Sequence, residues 1–596
     1  MGAALAQGLL AGWRQYGNAA ALRWFQRVGL SLRLSRKLLD VYGSEALTAV
    51  EADPYRLLAF GMSWTAVDAL AREHFGLAAD DQRRQAAAVE AVMYQAFDAG
   101  HTCCERRAVE AALARLVGKT QVAAALVFAQ AHHCVEVVGA RLHALGPRLL
   151  EQSVAAALSA RLGREDAVAA PSDVESFLTC FEQDEAVSLG LPVFTLNAAQ
   201  REAVHAVARL PLALITGGAG VGKTTVLKAV QALLAQRGHH LYAMALSGRA
   251  AKRLADATHR PAMTIAGFLH NVAPHGVPEH SVLLVDEASM LDLLLAYRLL
   301  NAIPASCRII LIGDPFQLPP VGPGLTLHAL VSVTTVPRVE LTEARRFGGA
   351  IAAGARVVRD GQWPPLPDAV DQALAFVPCA PDALAATVLQ LYLADPLHTQ
   401  VLTFTRERGV ASANALNGLC QRALHGSSPR LLIWNEERER HEDTGLRLGE
   451  PVLCTRNLHE WGLQNGSLGR IETIEDRSQP VYGPDGEPTG MALAWVRWDD
   501  DERRPVTEEV LDALSLGYAV TVHKAQGSQF ERVLIPVYAA RNLDRSMLYT
   551  AMTRATTQVI LVGDVDVARR AAEAPPHAAH RQVALADMMR EATACS

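Results

Sequence analysis

The sequence predicts an α/β protein: two cores of parallel sheet, a helical N-terminal region and a small β insert. Three observations predict it. From about residue 193, short apolar runs ("LALIT", "LYAMAL", "SVLLVDEA", "RIILIGD") alternate with helical patterns, and each ends in a small or polar residue. Buried parallel strands read this way when ligand groups sit at their C-terminal ends. A second set, "QVLTFT", "ERVLIPVY" and "QVILVGD", follows later. Between about 428 and 515 that second set is interrupted by short strands around the turn "PVYGPDGEPTG".

The elements follow in order. Residues 1–190 are rich in Ala and Leu with almost no β-branched alternation, so 1–100 and a connector, 101–190, are both expected to be helical. Residues 191–335 form the first core. Residues 336–427 and 516–570 form the second, with 428–515 as its insert. The remainder, 571–596, is expected to be a helix and a loose tail. A chain of 596 residues needs several cores in any case. No apolar run reaches the roughly 18 to 20 residues that span a bilayer, which argues against a membrane role. The nine cysteines are scattered without a C-x-x-C pair, as expected in a reducing cytoplasm and not in a zinc or disulfide framework. With a formal charge of −6, binding to nucleic acid would need a local basic channel.

The most specific motif is "GGAGVGKTT", Gly217 to Thr225, directly after "LALIT". It matches G-x-x-x-x-G-K-[ST] in full. Backbone N–H groups of Gly217, Gly218, Ala219, Gly220, Val221 and Gly222 can curl around phosphates, with Lys223 on the β/γ-phosphates, Thr224 on Mg²⁺ and Thr225 continuing the helix. "LLVDEASMLD" ends a strand in Asp286 and Glu287: one carboxylate for the metal, the next as base for the attacking water. In "IGDPFQLPP", Gln317 sits on a proline-stiffened turn where an amide can sense the γ-phosphate. "LTEARRF" offers Arg345 and Arg346, and "LYTAMTRATT" offers Arg554; Arg346 and Arg554 are the arginine-finger candidates. "TVHKAQGS" clusters Thr521, His523 and Lys524, all donors suited to a phosphate backbone, before Gly527, which would let the chain pass close to a nucleotide. A P-loop on one side and arginines on the other imply ATP held between two cores that open and close, the geometry of a motor.

These segments, in this order, resemble the RecD-like, 5′→3′ superfamily 1 DNA helicases of bacteria, over about residues 20 to 565. The resemblance implies two RecA-like cores, ATP and Mg²⁺, a single-stranded DNA track with junctions between single and double strands, and unwinding. "FTLNAAQREAV" is similar to the family's adenine-recognising segment, with Gln200 at the matching position. "ALSGRAAKRLADAT" looks like its single-strand motif, with Ser247 and Arg249 as contacts. "LGEPVLCTRNLHEWGLQNGSLGRI" resembles its SH3-like insert, with Asn465 as a further contact. "VGLSLRLSRKLLDVYG" and "FGMSWTAVDALAREHFG" resemble its paired helix-hairpin-helix units, with Ser31 and Ser63 where a second Gly is usual. Other departures are Ala266 for a His and Gln529 for a Glu. "NVAPHGVPEH" looks shorter than the family's strand-separating pin, and the chain begins almost at the hairpin units, without the extra N-terminal domain of longer relatives. Two rival readings follow: a translocating motor subunit of a larger repair, conjugation or CRISPR-type defence complex with little unwinding, and a DNA-binding adaptor that no longer hydrolyses ATP.

Overall fold

The structure is a computed structural model and describes residues 21–162, 164, 166–343, 349–435, 438–482 and 488–594. It folds as two compact units. The first takes the described residues up to Ser153 with Gly322–Gly324 and Gln582–Ala584; the second takes Val154–Val321, Leu325–Arg581 and the residues from Leu585 onward.

The first unit starts with two copies of one device. Gly29 and Gly61 turn the chain at positive φ, and two residues later Ser31 and Ser63 each cap a helix, accepting from Leu34 N and Ala66 N. These serines therefore satisfy free helix N–H groups, as N-caps do. Phe25, Leu38, Leu57 and Val67 form the core beneath them. The connector is not wholly helical as expected. Cys103–Glu105, Val135–Val138 and Arg141–Ala144 form an antiparallel sheet with the third strand in the middle. The strands are three or four residues long, too short to show alternation among Ala-rich helices.

The second unit holds two parallel sheets. The first has six strands in the order Ala262–Thr264, Leu241–Ala245, Val282–Asp286, Arg308–Gly313, Leu212–Gly217, Arg338–Leu341. Its last strand pairs with the P-loop strand, so the first core runs past residue 335, where the sequence reading ended it. That strand is short and half exposed, so it lacks the apolar signature of the others. The second sheet has five: Leu374–Pro378, Ala555–Gly563, Phe530–Val537, Thr399–Thr403, Ala519–Thr521.

Between 428 and 516 lie a hairpin (Arg430–Asn435 with Arg440–Arg447) and a five-stranded antiparallel sheet. The chain enters and leaves this insert side by side. Leu448 N donates to Pro429 O and Gly517 N to Pro451 O. Asn417 and Gln400 of the second core hydrogen-bond the backbone of residues 516–519. The tail is not loose: Leu585–Ala594 is a helix that buries Leu585 and Met589.

Candidate active site

The P-loop strand, Leu212–Gly217, is buried at every position, which fixes the loop's starting point. The helix Lys223–Gln236 begins at Gly222, whose φ of 84° is a left-handed conformation that favours glycine. A Cβ there would also sit 2.2 Å from the Gln200 amide nitrogen. Gly218, Ala219, Gly220, Gly222, Lys223, Thr224 and Thr225 face a cleft of about 440 Å³, while Gly217 and Val221 are buried outside its lining. Lys223 Nζ donates to the carbonyls of Gly217 (2.6 Å) and Gly218 (2.9 Å), which aims the amino group along the loop.

Gln200 lines the same cleft, but both ends of its amide are engaged. Its oxygen accepts from Asn197 N (3.0 Å) in a capping box, and its nitrogen donates to Val221 O (3.4 Å). Leu189 and Phe194 complete that side of the cleft.

Asp286 and Glu287 leave the sheet together and are both buried. Glu287 has φ 53°, a strained left-handed backbone for a non-glycine, and its N–H donates to Asp286 Oδ1 (2.9 Å). Burial and the neighbouring Glu287 charge push the Asp286 carboxyl up. Burial pushes Glu287 the same way, but Arg554, Arg253 and Lys223 around it outweigh that and hold it below its ordinary value. The pair is thus split into one ionised carboxylate ringed by cations and one carboxyl for which burial and its like-charged neighbour outweigh Arg253 and Lys223. Such a split suits a base beside a cation ligand.

The second core reaches this cleft from the turn after the helix Arg545–Met552. Arg554 is buried and donates to Gln317 Oε1 (3.1 Å) and Thr550 O (3.2 Å). Gln317 Nε2 in turn donates to Asp314 Oδ2 (3.3 Å). Tyr549 OH donates to that same oxygen (2.7 Å), and Thr550 Oγ1 accepts from Leu318 N (3.0 Å). A continuous polar contact, Asp314–Gln317–Arg554 with Tyr549 beside it, therefore joins the two cores next to the phosphate loop. Arg345 and Arg346 lie outside the described residues.

The expected strand-contacting residues gather elsewhere in this unit. Ser247 caps the helix Gly248–Thr258 by accepting from Ala250 N. Arg249 donates to Gly466 O (2.6 Å) and pairs with Asp499 (2.8 Å). Lys524 Nζ donates to Asn465 Oδ1, and Lys524 N donates to Thr521 Oγ1 (3.4 Å). His523 is exposed. Gly527 is outside the nucleotide cleft's lining. A Cβ on it would be 3.3 Å from Ser247 Oγ, so it serves the close approach of the second core to this helix. Sequence reasoning missed Arg253, Tyr549 and Asp314. Asp314 could have been found, since it follows a strand as Asp286 ends one; Arg253 and Tyr549 carry no local mark.

Three family models match the chain: an AAA domain over residues 195–394, a UvrD-like helicase C-terminal domain over 516–562, and the HHH domain of ATP-dependent RecD2 DNA helicases over 14–103. The chain is similar to the ATP-dependent RecD2 DNA helicase of Deinococcus radiodurans, 29% identical over 98% of this chain and 79% of that protein. It is similar to the RecD subunit of the RecBCD enzyme of Mycolicibacterium smegmatis, 30% identical over 63% of this chain and 72% of that protein. Among solved structures, a Bacteroides Pif1 helicase in complex with ADP-AlF3 and ssDNA aligns with a TM-score of 0.40 at 19% identity, over 67% of this chain and 98% of that one.

Proposed function

This chain belongs to the RecD-like family of superfamily 1 DNA helicases, and from that premise we propose that its cleft hydrolyses ATP to move it 5′→3′ along single-stranded DNA and to open duplex ahead of it. The observation that carries the reading is the buried contact from Gln317 to Arg554. A first-core amide that senses the phosphates and a second-core guanidinium meet at one cleft, so both bodies complete one reaction centre.

The geometry supports a role for each residue. Loop N–H groups and Lys223 bind the phosphates. Glu287, ionised and held among cations, takes the proton of the attacking water. Arg554, and Arg346 by its place in the sequence, neutralise charge that develops on the transferred phosphoryl group. Leu189 and Phe194 pack the base beside Gln200. The residues fit a magnesium ion: Thr224 and Glu287 line one cleft, and Asp286, next to Glu287 in the chain, is a carboxyl raised by burial and by that like-charged neighbour. Bound there, the ion would neutralise phosphate charge. Ser247, Arg249, Asn465, Thr521, His523 and Lys524 form the proposed strand contacts. A DNA track places its site of action in the cytoplasm; no described helix is long and apolar enough to cross a membrane.

A second reading keeps the motor and drops strand separation, placing the chain as a motor subunit with protein partners. One observation favours it: residues 272–281 hold a single turn of 3₁₀ helix, Ala273–His275, where a pin would project. Duplexes with a 5′ tail, a 3′ tail or a fork decide between them. Unwinding of the 5′-tailed and forked substrates supports the helicase. ATP turnover stimulated by single strands without unwinding supports the motor subunit. Turnover indifferent to DNA would refute both.

A further inference from the structure

The helix Gly248–Thr258 carries three cations whose partners lie in different parts of the unit. Arg249 binds Gly466 O and Asp499 of the insert, and Lys252 pairs with Asp500 of the insert (2.7 Å). Arg253 turns the other way, into the nucleotide cleft, where its Nη2 lies 3.4 Å from Glu287 Oε1. Arg249 and Arg253 are four residues apart, one helical turn, so a movement of the first is carried to the second by a rigid element.

The start of this helix is a junction of three bodies. A Cβ on Gly248 would fall 2.2 Å from the Gln464 side chain of the insert. One on Gly527 of the second core would fall 3.2 Å from Ala250. Lys524 reaches across to Asn465 at the same place. The two glycines let the insert and the second core pack close against this helix, so a polyanion that competes with Asp499 and Asp500 for Arg249 and Lys252 acts directly on that junction. One turn further along the helix, at Arg253, Glu287 depends on what holds it. Its backbone is in a strained left-handed conformation, and among the described residues Arg253 is the one side chain that hydrogen-bonds its carboxylate. Lys223 and Arg554 also face that carboxylate as charges, and Asp286, its neighbour in the chain, is a like-charged group beside it.

We propose that Arg253 is a positioning residue for Glu287 and that the helix bearing it links the strand-binding junction to ATP hydrolysis, so that part of the stimulation by DNA passes through this one guanidinium. The proposal rests on the helicase reading above.

The test uses the full chain, with ATP turnover measured with and without an oligo-dT strand, and strand affinity measured by anisotropy. Arg253→Ala should lower strand-stimulated kcat by about tenfold or more, short of the ~10²- to 10⁴-fold that a general base supplies. KM for ATP and strand affinity should hold, which also shows that the variant is folded. Turnover without strand should fall as well, because the same carboxylate serves it, but by a smaller factor than strand-stimulated turnover. Arg253→Lys, which keeps a cation within reach, should recover part of the stimulation. Asp499→Ala, at the other end of the helix, should combine with Arg253→Ala non-additively in the stimulation ratio. A raised KM with unchanged kcat, an equal loss with and without strand, or additive combination would each overturn the link. A wild-type chain that strand does not stimulate overturns the helicase reading itself, before any variant is made.

Discussion

Two strands of this protein end in nearly the same words, "RIILIGD" at 308–314 and "QVILVGD" at 558–564, and their aspartates do different work. Asp314, in the first core, is fully buried and accepts from Tyr549 of the second core, from Gln317 and from Phe316 N. Asp564, in the second core, is only half-buried and caps its own helix through Asp566 N and Val567 N. Local sequence set both as a strand followed by a polar turn. What faced the turn decided whether the carboxylate became a joint between bodies or a helix cap. The same contrast runs through the two sheets. The first ends in a phosphate loop and an acid pair, whereas the second offers the nucleotide a side chain, Arg554, on a turn between helix and strand. On the proposed reading, one core holds the nucleotide by backbone and the other acts on it by a side chain.

Four substitutions break or sharpen this comparison. The largest effect is expected from Arg554→Ala, roughly 10³-fold or more in ATP turnover, at the lower end for an arginine finger. ATP affinity should fall far less, since the contribution belongs to the transition state. If turnover and affinity fall together, the second core also holds the ground state and the division of labour fails. Next, Glu287→Gln should slow turnover at least about a hundredfold while nucleotide binding survives, as seen with a fluorescent ATP analogue. Third, Tyr549→Phe removes one donor from buried Asp314 and should cost about 1–3 kcal/mol of stability, read from denaturant melts. Burial and Asp314 push the Tyr549 phenol well up, so it stays a donor throughout the neutral range and the loss should not vary with pH there. The smallest effect is expected from Asp564→Ala, about 1 kcal/mol, the usual worth of an N-cap, with turnover intact. Equal costs at the two aspartates would erase the distinction.

Much of this was legible beforehand because it is local. The P-loop, the acid pair and the turn around Gln317 are short segments in which spacing alone puts the groups at strand ends. The same reading of short segments offered Arg554, and the resemblance to the family's adenine-recognising segment added Gln200. What escaped notice depends on distant partners. Tyr549 is an ordinary helix residue until the first core brings Asp314 to its hydroxyl, and Arg253 is one more helix cation until Glu287 is folded beneath it. Gln200 shows the reverse: its position in the motif was plain, but only the fold reveals that its amide is engaged by Asn197 and Val221. Short strands also hid. Those of the connector and Arg338–Leu341 are too brief or too exposed to show a period.

The insert's side-by-side entry and exit give it the character of a cassette. Residues 429 and 448 are tied to each other, as are 451 and 517, and Asn417 and Gln400 hold the return strand to the second core. The doorway ties the insert to the second core's parallel sheet, while Asp499, Asp500 and Asn465 tie its far side to Arg249, Lys252 and Lys524. Lengthening or trimming the long hairpin of Leu468–Tyr482 and Pro488–Trp498 changes loop closure only slowly with length, by about 0.6 kcal/mol per doubling. The motor can therefore tolerate exchange of this module as a unit. Descendants or engineers could swap one track-gripping surface for another without reworking the engine, provided the two carboxylates that hold Arg249 and Lys252 go with it.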